Sequence, residues 1–447
     1  MRKILIAFIT LIIAFAPANA SSIDKILTKQ HVNHGAVSIS VKDAKTGDKI
    51  YSVNDKTPRV PASTLKVITT AASLDTLGID YKFSTKMYKS TNNDLYFKLG
   101  GDPFLTSGNL RTFIETAKSK NITPKNIYID NTIFDSTEWG EGWQWDDALN
   151  PHMPKFSAYN LDGNLLDVEI TPQKIGTAPT IIVKPFYPAT IMNLIISATD
   201  ETNVSFAKNS DIAPNIINAT GKISKQTIFK LPVENPKLYF NLRLQEAIRN
   251  RKMYYYNPIK VGILPKENVY LAEEITNNIS KALSASLKNS NNLVAETLFK
   301  LAGAKYSNST GSAYNSLTML NSYFEKLALN TDDIKIVDGS GVSKNNMMTS
   351  DFMTSFLVKL YNSDNFTEIE QYFPTPGEGT LKNRMLYFKE CLRAKTGTLS
   401  DTSAITGYIT TRRGKVLVFN IMIQDAKTSE ADKKNIEELI LREIYMN

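Results

Sequence analysis

The chain has 447 residues, of which 42% are hydrophobic and 21% charged, a globular composition with enough apolar material for two or three domain cores. A single cysteine, Cys391, excludes an intramolecular disulfide and a cysteine metal cage. Three histidines (His31, His34, His152) without an H-E-x-x-H pattern leave little for metal hydrolysis or redox catalysis, so no metal or cofactor is expected.

Along the chain, Arg2 and Lys3 precede a 13-residue run, Ile4 to Ala16, interrupted only by Thr10, and Ala18-Asn19-Ala20 fits a small-x-small cleavage pattern. Residues 1–20 therefore read as a cleaved secretory signal peptide, with an uncleaved anchor as the alternative. No other apolar run is long enough to cross a membrane, so no stable span is expected in the exported protein. Loss of Arg2 and Lys3 lowers the net charge from +8 to +6. The remaining Lys and Arg residues are scattered, which argues against a nucleic-acid partner. An exported protein with one thiol is expected to bury it.

Val37–Val41 and Lys49–Val53 alternate in period two around a Lys42–Asp48 turn and read as a β-hairpin. Pro61 introduces a helix over about Ala62–Leu77, stopped by Gly78. Residues 84–265 change texture: short runs such as Ile127–Ile129, Ile181–Val183 and Leu194–Ile196 alternate with turn residues, as in one or two small β-rich modules. Helical periodicity returns over Glu267–Leu287, Leu293–Ala304, Ser312–Leu329 and Ser350–Tyr361. Strands follow at Leu392–Thr396, Ala404–Thr411 and Val416–Ile423, then a helix over Lys433–Ile444. The two ends form one expected α/β domain, 21–83 with 266–447, into which the middle is inserted.

Ser63-Thr64-Leu65-Lys66 is S-x-x-K at a helix start, where residues three apart share a face and a neutral lysine can take the serine proton. Burial or a second cation would keep that lysine neutral. Ser22-x-x-Lys25 and Ser205-x-x-Lys208 match the same pattern, but neither follows a proline or opens a long apolar helix. Lys395-Thr396-Gly397-Thr398 lies on an expected strand, where a lysine beside hydroxyls can bind a carboxylate and a glycine admits substrate to the backbone. The earlier Lys45-Thr46-Gly47 sits at the hairpin and reads as turn chemistry. Ser290-Asn291-Asn292, between two expected helices, is an S-x-N that could project a hydroxyl and an amide into a cleft, although six other S-x-N triplets occur.

Taken in order, S-x-x-K, S-x-N and K-T-G form the set shared by β-lactamases and penicillin-binding proteins. The 227 residues from Ser63 to Ser290 fit a compact domain with a long insertion. Gly100-Gly101-Asp102-Pro103, Trp143-Gln144-Trp145-Asp146-Asp147, Asp338-Gly339-Ser340-Gly341-Val342-Ser343 and Lys395-Thr396-Gly397-Thr398-Leu399 complete the pattern. With these the chain resembles the class C low-molecular-mass penicillin-binding proteins, the D-alanyl-D-alanine carboxypeptidase/endopeptidases. Two positions depart from that family. Lys344 stands where an arginine is usual and cannot make a bidentate fork. Asn291 replaces the common acidic residue between Ser290 and Asn292.

The resemblance implies an α/β fold, a transpeptidase/β-lactamase-like domain with an antiparallel sheet and helices, carrying inserted β-rich domains. It implies a periplasmic enzyme acting on peptidoglycan stem peptides and acylated by β-lactam antibiotics. Ser63 would attack the carbonyl between two D-alanines with Lys66 as base, and Ser290 would pass a proton to the leaving amine. Asn292 would hold the substrate amide. Lys395 would depress the Lys66 pKa and attract the terminal carboxylate, which Thr396 and Thr398 would bind beside Gly397. Asp147 would contact a cationic stem-peptide residue, or else be a surface carboxylate, and Lys344 would help orient substrate. A catalytically silent peptidoglycan binder on the same fold, and a serine β-lactamase, are the alternative readings.

Overall fold

A computed structural model describes residues 20–208 and 216–446, so the signal-peptide reading falls, apart from Ala20, outside the described residues. The chain begins with α1 (Ala20–Lys29) and the hairpin β1 (Val37–Asp43) and β2 (Lys49–Val53). Lys45-Thr46-Gly47 is indeed turn chemistry: Asp43 Oδ1 accepts from the Lys45 and Thr46 amides, and Gly47 takes φ +80°. A 3₁₀ turn (Ala62–Leu65) then leads into α2 (Lys66–Leu77), which ends at Gly78.

The inserted part follows. It comprises β3 (Lys82–Ser90), β4 (Leu95–Lys98), α3 (Ser107–Ser119), β5 (Ile127–Asp130), β6 (Leu165–Thr171), β7 (Thr180–Lys184), β8 (Thr190–Ser197), β9 (Ser205–Lys208), β10 (Ile216–Ile223), β11 (Thr227–Pro232), α4 (Pro236–Asn250), β12 (Lys260–Val261) and β13 (Val269–Asn278). Its strands make a mixed sheet in the order β12-β5-β4-β3-β13 and two three-stranded sheets, β11-β6-β7 and β8-β10-β9. The latter pair closes on its own small core of Val168, Ile170, Ile195, Ala219, Ile223 and Leu231. The insertion carries more helix than its strand-and-turn texture implies, since α3 and α4 pack together beside the mixed sheet.

The helix expected over Glu267–Leu287 is corrected by the structure: β13 occupies its first half and pairs antiparallel with β3, and only α5 (Ile279–Leu287) is helical. A bulge between Leu271 and Glu273 breaks the period-two pattern of β13, which is why the alternation is hidden. The same pairing carries the inserted sheet beyond the expected limit at residue 265.

After α5 come α6 (Asn292–Ser307), α7 (Ala313–Lys326), α8 (Ser350–Tyr361), α9 (Phe366–Glu370), β14 (Leu392–Thr398), β15 (Thr402–Thr410), β16 (Val416–Gln424) and α10 (Glu430–Met446). The central sheet is antiparallel, β14-β15-β16-β1-β2, with strands from the two ends of the chain side by side. Both of its faces are covered. Val37, Ile39 and Val41 join Ile436, Ile440 and Leu441 of α10 in one core. On the other face Ser38 and Ser40 are buried under α8, where their hydroxyls bond those of Ser350 and Thr354, both at 2.8 Å. Cys391 is half-buried rather than fully buried, with its Sγ against the Phe388 carbonyl.

Candidate active site

Ser63 lies within the 3₁₀ turn and Lys66 opens the α-helix behind it. At three residues per turn, positions i and i+3 eclipse, and Lys66 Nζ donates to Ser63 Oγ at 2.8 Å. Lys66 is fully buried and also donates to Asn292 Oδ1 and to the Ser340 carbonyl, both at 2.6 Å. Burial pulls its pKa down to about 7, against the opposing pull of Asp338 and Glu296. The side chain is therefore poised to exchange a proton near neutrality.

Ala62, just before the nucleophile, has φ +48°, a left-handed conformation that costs a non-glycine residue about 1–3 kcal/mol. Two glycines hold that turn. A Cβ on Gly341 would lie 2.0 Å from the Ala62 carbonyl oxygen, and one on Gly397 would lie 2.9 Å from both Ala62 Cβ and Ser63 N. The glycine of the K-T-G strand thus lets β14 press directly against the serine.

Ser290 sits between α5 and α6 with φ +55°, and Lys395 Nζ, fully buried, donates to its hydroxyl at 2.9 Å and to the Thr396 carbonyl at 2.6 Å. Burial, then the charge of Lys66, holds the Lys395 pKa well below its ordinary value. The expected division of labour changes here: burial is what depresses Lys66, and Lys66 in turn disfavours charge on Lys395. Asn292 Nδ2 donates to the His152 carbonyl at 2.7 Å, while Asn291 caps α6 through the Val294 amide at 3.0 Å. The Asn291 side chain thus serves the helix rather than the cleft. Thr396 is buried and Thr398 exposed at the end of β14. Neither hydroxyl bonds to another described residue, which leaves both open to a ligand.

Lys344 Nζ donates to Ser400 Oγ at 3.0 Å and so ties the Asp338–Ser343 turn to the end of β14. Asp147 lies in a 3₁₀ turn (Trp145–Leu149) of the Trp-rich loop, half-buried, and its carboxylate makes no bond to any described residue. The structure brings the loop to the site without bringing Asp147 into contact with the catalytic set. Trp143 Nε1 donates to Asp338 Oδ2 at 2.9 Å, and a Cβ on Gly142 would strike Ser343 Oγ at 2.5 Å.

Two site residues escape the motif reading. Asp338 collects the Gly341 and Ser343 amides and the Asn346 side chain, each at 2.8 Å. Glu296, one turn after Asn292 on α6, accepts from the Gly339 amide at 3.1 Å and the Ser340 amide at 2.8 Å. It thereby fixes the carbonyl that holds Lys66. Burial, then the charge of Asp338, raises the Glu296 pKa to about 7. A lone carboxylate inside the apolar run Leu293–Phe299 was the available signal. Among the described residues no three His, Cys, Asp or Glu side chains gather as a metal ion would require, and no helix is long and apolar enough to cross a membrane.

Comparison with known proteins converges on one group. Residues 19–443 match the D-Ala-D-Ala carboxypeptidase 3 (S13) family. The chain is 26% identical to a D-alanyl-D-alanine carboxypeptidase of Actinomadura sp. (strain R39), over 90% of this chain and 80% of that one. It is 23% identical to D-alanyl-D-alanine carboxypeptidase DacB of Haemophilus influenzae, over 96% and 95%. The crystal structure of penicillin-binding protein 4 from H. influenzae matches with a TM-score of 0.82 at 22% identity, covering 95% of this chain and 99% of that one. The same protein complexed with a β-lactam matches at 0.79 and 20% identity, over 95% and 100%.

Proposed function

Because the chain belongs to the D-Ala-D-Ala carboxypeptidase 3 (S13) family and is a serine-type D-Ala-D-Ala carboxypeptidase, we propose that Ser63 is its nucleophile and Lys66 the base. One observation carries the assignment: Ser63 Oγ and a buried Lys66 with a pKa of about 7 lie 2.8 Å apart. Neutral Lys66 takes the Ser63 proton as Oγ attacks the carbonyl between two D-alanines of a peptidoglycan stem. Backbone amides of Ser63 and Thr398 receive the oxyanion, where loss of one donor typically costs about 3–4 kcal/mol. Ser290, bonded to Lys395, hands a proton to the leaving amine, and the C–N bond breaks to leave an acyl-enzyme that water hydrolyses. Thr396 and Thr398 hold the terminal carboxylate beside Gly397. Asn292 turns its amide from the His152 carbonyl to the substrate.

A β-lactam would acylate the same serine, a reading supported by the β-lactam complex of the related structure. Export to the periplasm follows from the apolar N-terminus. Residues 21–81 with 279–447 would form the catalytic domain, and the segment between would form the inserted domains that bring in the Trp-rich loop.

Lys344 and Asp147 are assigned to opposite charges of the stem peptide, the one to a carboxylate and the other to an ammonium. Release of D-alanine from a diaminopimelate pentapeptide should lose about tenfold in kcat/KM in Asp147→Ala. Release from a peptide with an acetylated, uncharged residue at that position should not change. Equal rates on both substrates for the variant and the wild type would make Asp147 a surface carboxylate.

A further inference from the structure

Ser290 and Asn292 also stand in the wall of a second cavity, of about 350 Å³, on the side of their turn toward the inserted domains. Phe104, His152, Asp162, Lys281 and Asn289 form much of the remaining wall. Its volume is that of a small-ligand site, and removal of one terminal D-alanine leaves it without a use. Its charges are unequal in what they have left to offer. Asp162 is already occupied by the Ser107 amide at 2.9 Å, the Ser107 hydroxyl at 2.5 Å and the Tyr239 hydroxyl at 2.9 Å. Lys281, exposed on α5, has no carboxylate within ion-pair distance among the described residues. Its ammonium lies 4.2 Å over the Phe104 ring and 3.5 Å from Asn277 Oδ1. The cavity therefore presents one free cation beside an aromatic face, and it adjoins the hydroxyl assigned to the leaving amine.

We propose that this cavity receives the departing half of a cross-linked substrate, a second stem peptide, with Lys281 pairing to a carboxylate on it. The inference rests on the Ser63 reading above and adds the substrate class: a cross-link carries a bulky, anionic leaving group where a free terminus carries only alanine. Lys281 touches none of the reacting atoms, so its effect falls on binding of that half and on nothing else.

The test uses the full chain with two substrates, a D-Ala-cross-linked dimer of stem peptides and a single pentapeptide ending in D-Ala-D-Ala. Lys281→Ala should lower kcat/KM for the dimer about tenfold, mainly through KM, and Lys281→Glu should lower it further. Lys281→Arg should retain the wild-type rate, and pentapeptide turnover and penicillin acylation should be unchanged in all three. Dimer cleavage that is unaffected, or that falls in parallel with pentapeptide cleavage, would overturn the proposal. So would a wild type that processes the pentapeptide but not the dimer. A wild type that takes neither penicillin nor pentapeptide would instead contradict the Ser63 reading.

Discussion

Lys66 is made a base by exclusion of water, and its three bonds to Ser63, Asn292 and Ser340 aim it. Desolvation disfavours the ammonium, so the neutral form exists above a pH of about 7 and the charged form below it. Only the neutral form can accept the Ser63 proton. The second-order rate of penicillin acylation should therefore rise with pH through about 7 and level off above it. A rate independent of pH from 6 to 8 would remove Lys66 from that role. Lys66→Ala should remain folded and acylate about 10²–10⁴-fold more slowly, the usual range for a general base. Glu296 and Asp338 oppose the depression, which keeps the lysine close to neutrality instead of far below it.

At the scale of elements, the site is a meeting of a 3₁₀ turn, an interhelical turn and a strand edge. Each contributes a backbone condition as well as a side chain. Gly397 shows this most directly, because the methyl group of Gly397→Ala would press on Ser63 N and Ala62 Cβ, both at 2.9 Å. Displacement of the nucleophile by a fraction of an ångström to 1 Å costs up to about 10²-fold in rate. Acylation of Gly397→Ala should fall by about that factor while thermal unfolding moves by only a few degrees, and unaltered acylation would mean that β14 does not position the serine. The motifs that carry these conditions were legible in the sequence because their chemistry is local: S-x-x-K at a helix start, K-T-G on an apolar strand, S-x-N between two helices. Helices α6, α7 and α8 were equally legible from their apolar spacing. What stayed hidden depends on partners distant in the chain. The β13 strand is defined by β3 and disguised by its own bulge. The helix α4 had readable signals, Asn235 as N-cap and Pro236 at the first turn, set among strand-like runs that masked them. Glu296 became a site residue only when the Gly339 and Ser340 amides, more than forty positions away, folded onto it.

Across the whole molecule, the insertion is wired into the catalytic centre rather than appended to it. The Trp-rich loop reaches Asp338 through the Trp143 indole and Asn292 through the His152 carbonyl, so it braces two of the walls around Lys66. A long excursion between the nucleophile and the S-x-N turn thus returns as part of the site, and it supplies the walls of the Lys281 cavity as well. All of these assignments depend on the identity of the nucleophile. The most direct measurement is covalent labelling of the purified protein with a fluorescent penicillin beside Ser63→Ala. A stable label on the wild type and none on the folded variant is the expected result. Equal labelling of both would place the reacting serine elsewhere and contradict the account.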